Sequence, residues 1–179
     1  YRFVHEAGKG YRHYIDLTFF GLPIMKVNEH YLDGAATLEQ PMGVSQGAKI
    51  DQGANLALWA ESVWFPAIWI TDPRVHWQGL DDETALLTVP FGSETQTIVV
   101  RFDPNGGMLR LMESMRYHDN NSPTKTLWLN EVVTWDTVDG SLVPLTAQVI
   151  WQDNGKPWAI FTVNQIIYNT DVQAYIRAN

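Results

Sequence analysis

Apolar and polar positions alternate with a period of two along most of this chain and abandon that rhythm in one segment, residues 51–66 (DQGANLALWAESVWFP). At about 100° per residue, Leu56, Trp59, Ala60, Val63 and Trp64 form a continuous stripe, and Ala54, Ala57, Leu58 and Phe65 cover most of the remaining circumference. The pattern predicts a helix that starts at Asp51 as N-cap and stops before Pro66, whose ring disfavours helical geometry at the residue before it. A helix apolar all round is enclosed by lipid or by protein, and roughly 14 residues fall short of the ~20 that span a bilayer. The expectation is a helix wrapped by β-structure, with Trp59 and Val63 inaccessible to water.

On either side the period-two pattern predicts strands. Before the helix they cover residues 1–7, 11–20, 22–31 and 36–42, separated by Gly8 and Gly10, by Gly21 and by Asp33-Gly34. After it they cover residues 74–79, 84–91, 94–103, 108–118, 125–135, 142–152 and 156–168, with breaks at Gly92-Ser93, Pro104-Asn105-Gly106-Gly107, Val138-Asp139-Gly140 and Asp153-Asn154-Gly155. Short turns between successive strands make an antiparallel meander. Ala85, Leu87, Val89 and Phe91 share one face, as do Ile98, Val100 and Phe102, so that face is core. The strands at 125–135 and 156–168 are apolar on both faces, which suggests cover on their outer side or another surface. Residues 171–177 predict a short C-terminal helix. The fold class is mainly β: a curved antiparallel sheet, a half-barrel of about ten strands, wrapped around one central helix.

Composition narrows the function classes. The 179 residues are 45% hydrophobic, enough for one domain with a substantial core, and nothing divides residues 1–179 into two. A formal charge of −8 with only 12 scattered Lys and Arg argues against nucleic acid and against an anionic membrane surface. The absence of cysteine removes disulfides, thiolate metal sites and cysteine nucleophiles. The chain opens at Tyr1 without a Met, and the expectation is that a native N-terminal segment, able to carry a membrane anchor or export signal, precedes it.

Glu61 is the first candidate for chemistry, because the helix places it in a sector otherwise occupied by Ala54, Ala57 and Phe65. A buried carboxylate is paired or protonated, so Glu61 is either an acid or base, the polar anchor of a ligand, or one half of an ion pair with Arg101, Arg110 or Arg116. Arg110 and Arg116 alternate with Leu109, Leu111 and Met115, which puts both on the solvent side of a regular strand; a bulge near Glu113-Ser114 would reverse one of them. Trp59, Trp64, Trp69 and Trp77 cluster around the helix, with two or three expected in the core and the rest bordering a cavity. The five histidines never form His-x-His or His-Glu-x-x-His, and Glu29 and His30, next to each other in a strand, face opposite ways, so no metal and no other cofactor is expected. Gly-x-Ser-x-Gly, phosphate-loop and dinucleotide motifs are absent, and acidic pairs such as Asp81/Asp82 arise by chance in an acidic chain.

The combination Asp51-Gln-Gly-Ala-Asn-Leu, Glu61-Ser-Val-Trp64-Phe-Pro66, Trp77, Phe102-Asp103, Arg116, Gly140 with Pro144, and Trp151 resembles an uncharacterised bacterial family over nearly the whole chain. Glu-x-x-Trp-x-Pro is its most specific element. Longer members resemble proteins with an N-terminal membrane segment, which implies an extracytoplasmic, membrane-anchored placement; no catalytic residue carries over. The strand-helix-meander order is also similar to the half-barrels of lipoprotein carriers, a resemblance of architecture that implies hydrophobic-ligand binding by analogy only. The expected function is non-enzymatic binding of a hydrophobic or amphipathic small molecule, such as a lipid, between helix and sheet, with Glu61, Trp64, Trp59, Trp77 and Arg116 as ligand-binding residues. Two alternatives stand beside it: an enzyme that uses Glu61 as acid or base, and an interaction domain with a full core.

Overall fold

Turn chemistry divides the strands into two runs on either side of the helix, and in the computed structural model each run closes into its own sheet. The structure describes residues 1–178, with the backbone but not the side chain of Pro23. The N-terminal sheet is β1 (Arg2–Glu6), β2 (Gly10–Phe19), β3 (Leu22–Leu32), β4 (Ala35–Gln40) and β5 (Gly43–Ser45), hydrogen-bonded in that order. The C-terminal sheet is β6 (His76–Gly79), β7 (Thr84–Phe91), β8 (Glu94–Phe102), β9 (Leu109–Arg116), β10 (Thr126–Val138), β11 (Ser141–Trp151) and β12 (Pro157–Thr162), again in sequence order. Every strand pair is antiparallel. The fold is mainly β, as the alternation predicts. The single curved sheet of about ten strands is corrected to two open sheets of five and seven strands, because the helical segment interrupts the hydrogen-bond ladder.

Between the sheets runs α1 (Ala48–Ala60), continued by a 3-10 turn at Glu61–Trp64 and followed by the single turn α2 (Ile68–Thr71). The start differs from the expected Asp51: the helix begins three residues earlier, after Gly47. Asp51 lies in the first turn, where its Oδ1 accepts the Ala36 N–H at 2.7 Å and so ties the helix to β4. Gln52 to Ala60 are buried without interruption, as expected for a helix with no face suited to water. Trp59 and Val63 are both buried. At the far end the Ser62 hydroxyl donates to the Leu58 carbonyl, and Pro66 prevents continuation.

Polar residues on the helix are struts rather than surface. Asn55 accepts the Tyr31 hydroxyl of the N-terminal sheet at 3.0 Å and donates to the Pro90 carbonyl and Gln96 side chain of the C-terminal sheet at 3.0 and 2.7 Å. Gln52 donates to the Met115 carbonyl and accepts the Tyr117 N–H. Each buried amide thereby finds the partners that burial demands. The sheets also meet at one margin, where Phe3 of β1 approaches Phe161 of β12 at 5.5 Å and the Tyr1 hydroxyl donates to the Thr162 carbonyl. The C-terminal helix α3 (Gln173–Ile176) is a single turn whose Ile176 is buried. Outer cover for the doubly apolar strands is not seen among the described residues: Val133, Trp158 and Ile160 are exposed. No helix among them is long and apolar enough to cross a membrane.

Candidate functional site

Strand alternation and hairpin register build one end of the site. The turn at Gly8 pairs Phe3 with His13 and His5 with Tyr11, and the next hairpin pairs His13 with Glu29 and Tyr11 with Tyr31. Phe3, His5, Tyr11, His13, Glu29 and Tyr31 therefore project from one face, the face turned to the helix. His13 is clamped between the rings of Phe3 and Tyr11 at 4.1 and 4.0 Å, and Phe65 lies 5.1 Å from His5. Tyr11 donates its hydroxyl to Glu29 Oε1 at 2.6 Å.

Glu61, at the first position of the 3-10 turn, meets this face. Its Oε2 lies 2.9 Å from His5 Nε2 and 2.8 Å from His13 Nε2, and the two nitrogens are 3.4 Å apart. The His13 Nδ1 side faces Glu29 Oε2 at 3.9 Å. Burial alone would raise the Glu61 pKa, but the adjacent His13 and His5 override it and hold the carboxyl down at about 2. Burial likewise acts to lower the His13 pKa, and the Glu61 and Glu29 carboxylates reverse this and lift it to about 9. His5, where burial dominates, is shifted down. Despite these short separations neither ring N–H is aligned on Glu61 Oε2, which has no hydrogen bond, and the buried His5 Nδ1 has none either among the described residues.

Arg116 comes to the same region from β9. Its guanidinium stacks 4.5 Å from the Trp128 ring and 5.7 Å from that of Trp151, and its buried Nε has no hydrogen-bond partner. It lies against α1 at Gly53, where a β-carbon would stand 2.6 Å from Arg116 Nε; the missing side chain is what admits the cation. The strand is not regular, and of the two alternatives for Arg110 and Arg116 the one with a bulge that reverses one arginine holds. Phe102 pairs with Leu109 and Arg101 with Leu111, which leaves Arg110 unpaired in a bulge. Beyond it Met112 and Ser114 are buried, Arg116 turns inward with them, and Arg110 stays exposed. The bulge sits at Arg110 instead of near Glu113-Ser114.

These groups line a cleft of about 120 Å³ between the two sheets, with His13, Glu29, Glu61 and Arg116 at its polar part and Phe3, Val132, Trp158 and Phe161 among its apolar walls. That is below the ~150 Å³ of a cavity that holds a benzene-sized molecule, so the cleft is too small for an acyl chain. A second, open groove of about 460 Å³ lies on the other side of the 3-10 turn, lined by Val63, Pro66, Trp69, Ile70, Trp77, Phe102, Leu109 and Trp135.

Of the five residues expected at a ligand, Glu61, Trp64 and Arg116 line the cleft and Trp77 lines the groove. Trp59 lines neither: only 1% exposed, it is core, and the Trp69 indole N–H donates to its carbonyl. Glu61 is paired with two histidines and not with Arg101, Arg110 or Arg116; Arg101 instead bonds Glu113. Sequence reasoning missed His5, His13 and Glu29 because it searched for ligand spacings within one element. The signal lay in the hairpin register: a turn at Gly8 and Lys9 necessarily puts Phe3, His5, Tyr11 and His13 on one face.

The chain gives no match among curated proteins or among solved structures. A family model matches residues 1–163, which include the whole of both sheets and the helical segment between them. The protein thus belongs to the family of unknown function DUF6544.

Proposed function

We propose that the protein binds a hydrophobic or amphipathic small molecule, with an acyl chain or comparable apolar body, in the groove between the helical segment and the C-terminal sheet. The observation that carries this reading is the chemistry of the groove wall. Its three tryptophans turn every indole N–H away from the groove onto backbone carbonyls: Trp69 to Trp59 at 3.1 Å, Trp77 to Trp69 at 3.1 Å and Trp135 to Leu109 at 3.0 Å. What faces the groove is ring carbon, joined by the side chains of Val63, Pro66, Ile70 and Phe102. A volume of about 460 Å³ falls within the ~300–1,000 Å³ usual for small-molecule sites. Ile70 is 85% exposed and Trp77 39% exposed, so the groove is reachable without unfolding. Each methylene transferred into it contributes about 0.8 kcal/mol. In this reading the two open sheets act together as the wall of a half-barrel and the helix as its filling.

The test is native mass spectrometry of gently purified protein, followed by titration with fatty acids and phospholipids while tryptophan emission is followed. A saturable emission change, weakened by Ile70→Asp at the groove rim, is the expected result. Absence of both an adduct and a saturable response removes the reading. The alternative of chemistry at Glu61 is favoured by a separate observation, the convergence of His5 and His13 on that carboxylate.

A further inference from the structure

We infer that His5, His13 and Glu61 form a binding site for a divalent transition metal, zinc by the chemistry of the donors, with one coordination position open toward the cleft between the sheets. The inference is independent of groove binding, since of the three ligands and the residues around them only Val63 lines both cavities.

The geometry comes first. One donor atom from each of the three residues lies within 4.8 Å of the other two. Tetrahedral zinc, with bonds of about 2.0–2.2 Å to imidazole nitrogen and carboxylate oxygen, holds its donors ~3.3 Å apart. His5 Nε2 and His13 Nε2 already stand 3.4 Å apart. The two nitrogen-to-oxygen separations, 2.9 and 2.8 Å, need to widen by about half an ångström, a small rotation of the Glu61 side chain.

Polar accounting without a cation is incomplete. Two imidazole edges approach one oxygen and each other, yet Glu61 Oε2 receives no aligned hydrogen bond and is buried. If both Nε2 atoms carried hydrogen, the two hydrogens would converge; if one did not, its lone pair would face a carboxylate. A metal ion among the three atoms uses both lone pairs and the carboxylate charge at once. The outer partners agree. His13 Nδ1 faces Glu29 Oε2 at 3.9 Å, beyond direct hydrogen-bond distance, and Glu29 is held in turn by the Tyr11 hydroxyl. A carboxylate behind a histidine fixes Nδ1–H and leaves Nε2 free for the metal.

Two histidines and a glutamate are the donor class of zinc sites that keep an open position. His13 and Glu61 both line the cleft, and Arg116, with its unpartnered Nε, lines it too. The open position therefore suits water or the oxygen of an anion. Stacking of Phe3 and Tyr11 on His13 holds one ligand in place beforehand, which reduces the ordering needed on binding.

The experiment uses tag-free protein stripped with chelator and titrated with zinc or cobalt(II) salts. Expected are one equivalent of zinc retained through gel filtration, a visible cobalt(II) spectrum of four-coordinate type, and a higher melting temperature. His5→Gln and Glu61→Gln should weaken binding by about a hundredfold, at or beyond the loss that even outer-shell changes cause. His76→Gln, at an exposed position, should leave it unchanged. Failure of the wild-type protein to bind stoichiometrically at micromolar concentration overturns the assignment, as does unchanged affinity in folded variants of both ligands. Should those variants misfold, imidazole nitrogen spectra of the wild type decide: zinc must shift the signals of two of the five histidines and no others. Shifts at exposed histidines alone would equally refute it.

Discussion

Glu61 keeps 19% of its side chain exposed at the cleft, but its Oε2 atom is buried against two histidines. Its two neighbours, His5 and His13, have side chains only 7% and 4% exposed, and their Nε2 atoms face the oxygen they share. Removing one member of a buried charged set leaves the others uncompensated, and the cost is typically 3–5 kcal/mol. Glu61→Ala in metal-free protein should therefore lose about 3 kcal/mol in urea unfolding. A loss within ~0.5 kcal/mol would place the carboxylate among solvated surface groups and contradict the pairing.

At the scale of elements, three hairpins share one turn geometry with different chemistry. Phe20-Gly21, Asp33-Gly34 and Asp139-Gly140 have positive φ at both central positions, 49° and 79°, 52° and 86°, and 50° and 82°. Such turns match the right-handed twist of the strands and favour Asn or Asp before Gly, whereas a bulky residue there is strained by about 1–2 kcal/mol. Phe20 sits in that position between β2 and β3 while 92% exposed, and its ring makes an edge-on pair with the exposed Phe19 at 4.6 Å. Phe20→Asn should raise stability by about 1 kcal/mol, read as a higher denaturation midpoint with an unchanged slope. Equal or lower stability would mean that the Phe19 contact outweighs the backbone strain. The bulge at Arg110 is the other element-level device: one inserted residue carries Arg116 from solvent to the face of Gly53.

For the whole molecule the question is whether two sheets without a common hydrogen-bond ladder unfold together. Asn55 bonds to both of them, and α1 packs on β3 and β4 on one side and β7 and β9 on the other. Neither sheet has a covered inner face without that helix. All eight tryptophans lie in the helical segment or the C-terminal sheet, so their emission reports one half and far-ultraviolet circular dichroism reports both. The two signals should follow a single urea transition with one midpoint. An earlier dichroism change that leaves the emission untouched would show the N-terminal sheet melting alone.

What the sequence determined by itself is what short-range periodicity encodes. The strands around Leu87, Val89, Ile98 and Val100, the all-round burial of Trp59 and Val63, and the turns at Asp33-Gly34 and Asp139-Gly140 follow from alternation, helical spacing and turn preference, each a property of a few neighbouring residues. The tertiary structure alone decided the division into two sheets, the inward turn of Arg116 and the meeting of Glu61 with His5 and His13. Local pattern does not specify which strands stop pairing at a helix. It does not show that Arg110 is skipped in the ladder with β8. Nor does it show that a carboxylate at the end of the helix falls on the diagonal of the first hairpin. Residues distant in the chain, such as Glu61 and the histidines His5 and His13, become neighbours only once the sheets have packed on the helix, and the chemistry of the cleft exists only in that state.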